Sequence, residues 1–236
     1  MAVNIDTVYQ KVLAIANKEQ RGYITPLEFN LLANQASLDV FEQYFYDKSQ
    51  SERNPGNNSD YADMGSMLDE KISIFVTSAG VAGGQTLPVD LHRLGSVFVG
   101  AGLIGRREAT YPDHKDWWHI QNTPLLQPTD LRPIYIRDAN NIFVFGDNSA
   151  QITANVGCNY IRQPLRVEWG YDVVGPMGAK KALYNATRAV NFEHHRSDES
   201  ELVMKILELA GVIVQDPGIV QYADQEDIKK IQQEKA

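Results

Sequence analysis

The apolar residues of this chain change period twice, and that change limits the fold more than any single motif does. Ile5, Val8, Val12 and Ile15 recur three and four apart, predicting an amphipathic helix over residues 4–19 that stops near Gly22. Between about 85 and 171 the helical pattern gives way to β-type runs separated by turn signals, at residues 95–100, 133–137, 142–145, 151–156 and 159–162. Asp138-Ala139-Asn140-Asn141 reads as a hairpin turn, and a short helix over 114–121 carries Trp117 and Trp118. Helical spacing then returns. Val203, Ile206, Leu207 and Ala210 share a face, with Leu202 and Leu209 beside it, and Gly211 is the expected stop. Asp216-Pro217 reads as the start of a last helix. Helices flanking a strand-rich middle predict an α+β fold, a helical bundle formed from both chain ends with an inserted antiparallel β domain. The expected division is 1–84 (helical), 85–195 (β) and 196–236 (helices returning to the bundle).

The best-defined local signal is Thr25-Pro26-Leu27-Glu28, a capping box with proline at the first helical position, and Ile24 and Phe29 stand at the positions of a hydrophobic staple. The helix that follows carries Phe29, Ala33, Ala36, Val40 and Tyr44 on one face. Leu32, Phe41 and Phe45 widen that surface, predicting contacts on more than one side. Residues 48–65 are polar around Pro55-Gly56-Asn57-Asn58 and read as a loop. Leu68, Ile72 and Phe75 then favour a short helix, although Ile72, Ile74 and Val76 also alternate as a strand would.

Composition removes several function classes. The chain has 236 residues, 43% of them hydrophobic, enough for one or two globular domains. Its formal net charge of −8 argues against gripping nucleic acid by phosphate neutralisation, yet suits a wall past which DNA must slide. The single cysteine, Cys158, cannot form an internal disulfide, so a reducing compartment or a non-secreted product is expected. The start, MAVNIDTVYQKV, lacks the basic-then-apolar pattern of a signal peptide, and the weakly polar run at 94–105 is far short of the ~18 residues of a membrane helix. A soluble protein is expected.

Four features invite a chemical reading. Val97-Phe98-Val99-Gly100-Ala101-Gly102-Leu103-Ile104-Gly105 spells the G-x-G-x-x-G fingerprint of dinucleotide sites. That fingerprint works only where a strand runs into a helix of a parallel βαβ unit, and Pro112 breaks any helix here. The glycines are expected to form a turn between two strands, one ending near Val99 and the next starting at Leu103. Glu193-His194-His195 offers metal-ligand types and raises a metal-dependent hydrolase as a rival. Adjacent histidines, however, do not share a face of a helix or strand. The segment reads instead as a lead into a helix capped by Asp198 with Glu201 three residues on. Cys158 reads as a buried structural thiol. Trp117 and Trp118 raise a carbohydrate- or receptor-binding module, against the simpler expectation that they anchor a short helix to a sheet.

The order of features resembles a known family. Thr86-Leu87-Pro88-Val89-Asp90-Leu91-His92-Arg93-Leu94 is similar to the LP-x-D-x-x-R-L lead into the sheet of head-to-tail adaptor (connector) proteins of tailed phages, notably marine and crAss-like phages. Asn122-Thr123-Pro124-Leu125, Pro128-Thr129, Pro133-Ile134-Tyr135-Ile136 and Tyr160-Ile161-Arg162-Gln163-Pro164 resemble the same pattern. So do Asn4-Ile5-Asp6-Thr7-Val8-Tyr9 at the start and Leu202-Val203-Met204-Lys205-Ile206-Leu207 near the end. The resemblance implies a ring, usually a dodecamer, at the head–tail junction of a virion assembled in the bacterial cytoplasm. Its partners would be other copies of the chain, the portal protein, further tail proteins and genome DNA passing without sequence-specific contact. It implies no catalysis, no cofactor, no metal and no membrane. Phe29, Leu32, Val40, Phe41, Tyr44, Leu202, Ile206 and Leu209 are the residues expected in bundle, subunit or portal contacts.

Overall fold

The computed structural model describes residues 2–18, 24–53, 64–81, 86–100, 105–175, 180–214 and 225. The capping box at Thr25 forms in full. Thr25 Oγ1 accepts from the Glu28 N–H at 3.3 Å, and Glu28 Oε2 accepts from the Thr25 N–H at 2.9 Å. It opens α2 (Pro26–Ser51), which buries Phe29, Leu32, Ala33, Ala36, Ser37, Val40, Phe41 and Tyr44. Asn4 opens α1 (Ile5–Lys18) in a similar way, its Oδ1 accepting from the Asp6 N–H at 2.8 Å. α3 (Met64–Ser73) buries Leu68 and Ile72, and the chain then extends into β1 (Val76–Gly80). The helical and the strand-like periods of this stretch are both used, one after the other. α2 runs on to Ser51 and α3 starts at Met64, so both helices reach into the polar loop expected at 48–65; residues 54–63 lie outside the described residues.

α5 (Glu199–Val214) buries Leu202, Val203, Ile206, Leu207 and Ala210. It continues through Gly211, which is itself buried, where a stop was expected. A helical glycine costs about 1 kcal/mol relative to alanine, which packing at a buried site offsets. The helix expected from Asp216 lies outside the described residues. α2 packs against α3 and α5, and α1 packs against α5.

Two asparagines one turn apart on α2 hold an extended segment. Asn34 accepts from the Val167 N–H at 3.0 Å and donates to the Val167 carbonyl at 2.9 Å. Asn30 does the same for Trp169, at 2.7 and 3.4 Å. The residue between, Glu168, pairs with Val190, and Phe192 pairs with Val3. The hairpin of β8 (Tyr171–Val174) and β9 (Lys181–Tyr184) follows this segment.

The chain divides into two compact units, Met1–Ile74 with Pro164–Ala236, and Phe75–Gln163. The division falls about ten residues before the expected start of the β part, because β1 belongs to its sheet, and well before residue 195. Residues 164–195 group with the helices because Asn30, Asn34 and Val3 bind them.

The β unit is antiparallel, as expected. Its first sheet has the order β1-β7-β2-β3, with β2 (Leu91–Val99), β3 (Arg107–Ala109) and β7 (Val156–Arg162). Its second is β4 (Ile134–Asp138), β5 (Asn141–Phe145) and β6 (Gln151–Ile152), with Ala139 at φ 48° in the hairpin turn foreseen at 138–141. Of the strand expected over 151–156, only Gln151 and Ile152 pair as β6, and Val156 opens β7. Val97, Val156, Cys158 and Tyr160 from one sheet and Tyr135, Ile142 and Val144 from the other form a common core with Leu87. α4 (Trp117–Asn122) lies between β3 and β4 in sequence.

Candidate functional site

The residues expected in bundle or subunit contacts are mostly core. Phe29, Leu32, Val40, Phe41, Tyr44, Leu202 and Ile206 are buried within the chain, and Leu209 is half-buried. The second apolar side of α2 is made by other residues. Leu27, Leu31 and Leu38 are 64%, 58% and 43% exposed, and their spacing places them in one stripe along the helix.

The Glu193-His194-His195 run does not converge on a common point. Glu193 Oε2 accepts from the Leu165 N–H at 2.9 Å. His195 caps the 3-10 turn Arg196–Asp198, its Nδ1 accepting from the Ser197 N–H at 3.3 Å. Among the described residues no group of three histidine, cysteine, aspartate or glutamate side chains is placed to hold a metal ion. Asp198, expected to cap the C-terminal helix, lies within that 3-10 turn, and its carboxylate faces inward.

His194 is the centre of a buried polar cross-tie. Its Nε2 lies 2.9 Å from Ser37 Oγ, its Nδ1 lies 3.0 Å from the Tyr44 hydroxyl, and Tyr44 donates to Asp198 Oδ2 at 2.7 Å. Lys71 Nζ is 2.8 Å from Asp198 Oδ1, and Ser197 donates to the same oxygen at 3.1 Å. Tyr44 has one proton and gives it to the carboxylate, so its oxygen accepts from His194 Nδ1–H, and Nε2 accepts from Ser37. The proton order is therefore Ser37 to His194 to Tyr44 to Asp198. Burial pushes the His194 pKa down to about 4, against the pull of Asp198, the Ser37 carbonyl and Glu193. Burial alone would raise Asp198, but the hydrogen bonds from Lys71 and Tyr44 outweigh it and hold the carboxyl below its usual range. Burial, and then Asp198, raises the Tyr44 phenol far above normal. Ser37, His194 and Asp198 are all buried, so this arrangement joins α2, α3 and the 3-10 turn before α5 from within.

The two tryptophans divide their roles. Trp117 is buried with its ring centroid 4.6 Å from Phe145, whereas Trp118 is 66% exposed. Cys158 is buried in β7 opposite Val97, and burial pushes its thiol up. The glycine fingerprint is a connection between antiparallel strands, with Val99 paired to Arg107. The second strand therefore starts later than Leu103, and residues 101–104, Gly102 among them, lie outside the described residues. Gly100 has φ +132°, and a Cβ there would come within 2.7 Å of the Gly105 carbonyl oxygen. Backbone geometry thus accounts for this glycine.

Sequence reasoning passed over the third tryptophan. Trp169 Nε1 donates to Asp6 at 2.9 Å, and its ring lies 4.6 Å from Tyr9, 5.8 Å from Tyr171 and 5.6 Å from Tyr184. The available signal was the Asn30/Asn34 pair, weak helix formers at i and i+4 whose amides can bind a strand. Among the described residues no helix is long and apolar enough to cross a membrane. No protein-family model matches the chain, and no curated protein matches it.

Proposed function

We propose that the chain is a subunit of a head-to-tail connector ring, which binds beneath the portal of a tailed phage, extends the DNA conduit and supports the tail. The observation that carries this reading is the exposed Leu27-Leu31-Leu38 stripe on a helix whose opposite face already fills the core. A closed ring needs such a second surface, because each copy contacts the next through two different patches. The Leu-Pro-x-Asp stretch supports it as well. Leu87 enters the β core and Asp90 accepts from the Tyr160 hydroxyl at 3.0 Å, so this stretch anchors the sheet. The net charge of −8 keeps passing DNA from sticking. The work is mechanical, at the head–tail junction of the virion, after assembly in the host cytoplasm.

Native mass spectrometry with and without portal complexes tests this. A ring, or a monomer that becomes a ring on the portal, is expected; a monomer with no affinity for the portal overturns the reading. Exposed Trp118 favours one second reading, a glycan- or receptor-binding tail module. Glycan binding lost in Trp118→Ala would establish that reading instead.

A further inference from the structure

The β unit holds an open cleft of about 430 Å³, lined by Gly95, Ser96, Glu108, Thr110, Tyr111 and Tyr135 among others. It exists because β3 is short. β3 pairs with Val97–Val99, so among the described residues the part of β2 before Val97 has no strand partner on that side, and its register with β7 shifts there, between Leu94 and Val97. Asn159 fixes the floor. A Cβ on Gly95 would lie 2.9 Å from its carbonyl oxygen, and its side-chain amide donates to Ser96 Oγ at 3.1 Å while accepting from Ser78 Oγ at 2.6 Å.

The walls carry unused polar groups. Tyr135 is only 8% exposed, yet its hydroxyl has no hydrogen-bond partner among the described residues and remains open to the cleft. Tyr111, 52% exposed, lies with its ring centroid 5.3 Å from that of Tyr135 and leaves much of its own ring to solvent. Glu108 is exposed and makes no ion pair among the described residues. Arg106 lies over the ring of Phe98, the cross-strand partner of Glu108, at 4.2 Å, and Arg137 is turned to its own hairpin, its Nε donating to the Ala139 carbonyl at 3.1 Å. Burial first, then Tyr111 and Glu108, raise the Tyr135 phenol against the pull of Arg137, so the hydroxyl keeps its proton.

The geometry points to a binding site for a guanidinium group, stacked on Tyr111, paired to the Glu108 carboxylate and donating a further N–H to the Tyr135 hydroxyl. A planar, weakly hydrated cation suits an aromatic face beside a carboxylate better than a compact ammonium does. A neutral sugar would use the tyrosines but leave the Glu108 charge unanswered.

The test titrates the full chain with N-acetyl-arginine methylamide, its neutral citrulline counterpart and methyl glucoside, read by NMR. The arginine probe alone should shift Tyr111 and Tyr135 resonances. Glu108→Gln, at an exposed position, should weaken it about tenfold by removing a charge-assisted hydrogen bond, and Tyr111→Leu about threefold by removing the ring. Equal binding of the citrulline probe, binding of the sugar, or no shift with any probe overturns the assignment. Native mass of Glu108→Gln then identifies the source. Loss of assembly assigns the guanidinium to an arginine of a second copy, and unchanged assembly with the probe result intact assigns it to a different molecule.

Discussion

Tyr44 is the residue on which the buried cross-tie depends, because its single hydroxyl serves both His194 and Asp198. Tyr44→Phe keeps the ring and leaves two buried groups short of a partner, an expected loss of about 1–3 kcal/mol in urea unfolding. Ser37→Ala removes one neutral bond and should cost less, about 1 kcal/mol. A pH dependence follows from His194. Folding lowers its pKa from 6.5 to about 4, so its neutral form is favoured in the folded chain. The associated stability is complete above the unfolded value of 6.5. It is lost as pH falls from there towards 4, by up to about 3 kcal/mol. His194→Gln should flatten the urea midpoint across that window; an unchanged slope would show that other groups set it. None of this was legible in Glu193-His194-His195. The run looks like a ligand pair, and its meaning comes from Tyr44 and Lys71, far away in the sequence.

At the level of elements, legibility followed locality. The capping box at Thr25, the helical periods of α1, α2 and α5, and the hairpin at 138–141 depend on residues close in sequence, and each has its expected form, although α5 runs on past Gly211. The lead-in to α5 differs, because Asp198 is drawn inward by Lys71 and Tyr44 and His195 caps the turn before it. Residues 164–195 carry little period of their own, so their grouping with the helices could not be read locally. Asn30 and Asn34 decide it. Asn34→Ala should cost about 1–3 kcal/mol, since it strips two hydrogen bonds from Val167. Hydrogen exchange at Val167 and Glu168 should rise in that variant while exchange in β7 stays unchanged. Gly100→Ala should destabilise the β unit by about 1–3 kcal/mol, through its φ of +132° and the 2.7 Å approach to Gly105, checked by thermal unfolding.

For the whole molecule, the α+β class was legible from the two changes of period, and the surface for assembly was legible only in outline. Sequence pointed to a second apolar side of α2 but assigned it to Leu32, Phe41 and Phe45. Leu32 and Phe41 are buried within the chain, Phe45 is half-buried, and Leu27, Leu31 and Leu38 face solvent. Leu31→Glu with Leu38→Glu should leave chain stability within about 0.5 kcal/mol, as for surface changes generally. The same pair should abolish ring formation in native mass spectra. Rings that persist in this variant would place the subunit contact elsewhere.

The way the β unit joins the chain has a consequence for how such a protein can change over time. Its first residue lies beside its last but one, the Arg162 N–H donating to the Phe75 carbonyl at 3.0 Å. The unit therefore begins and ends on neighbouring strands, β1 and β7. A short glycine-serine bridge between residues 74 and 164 would therefore close the gap with little loop entropy. The two parts can acquire substitutions, or be exchanged for foreign counterparts, on separate schedules.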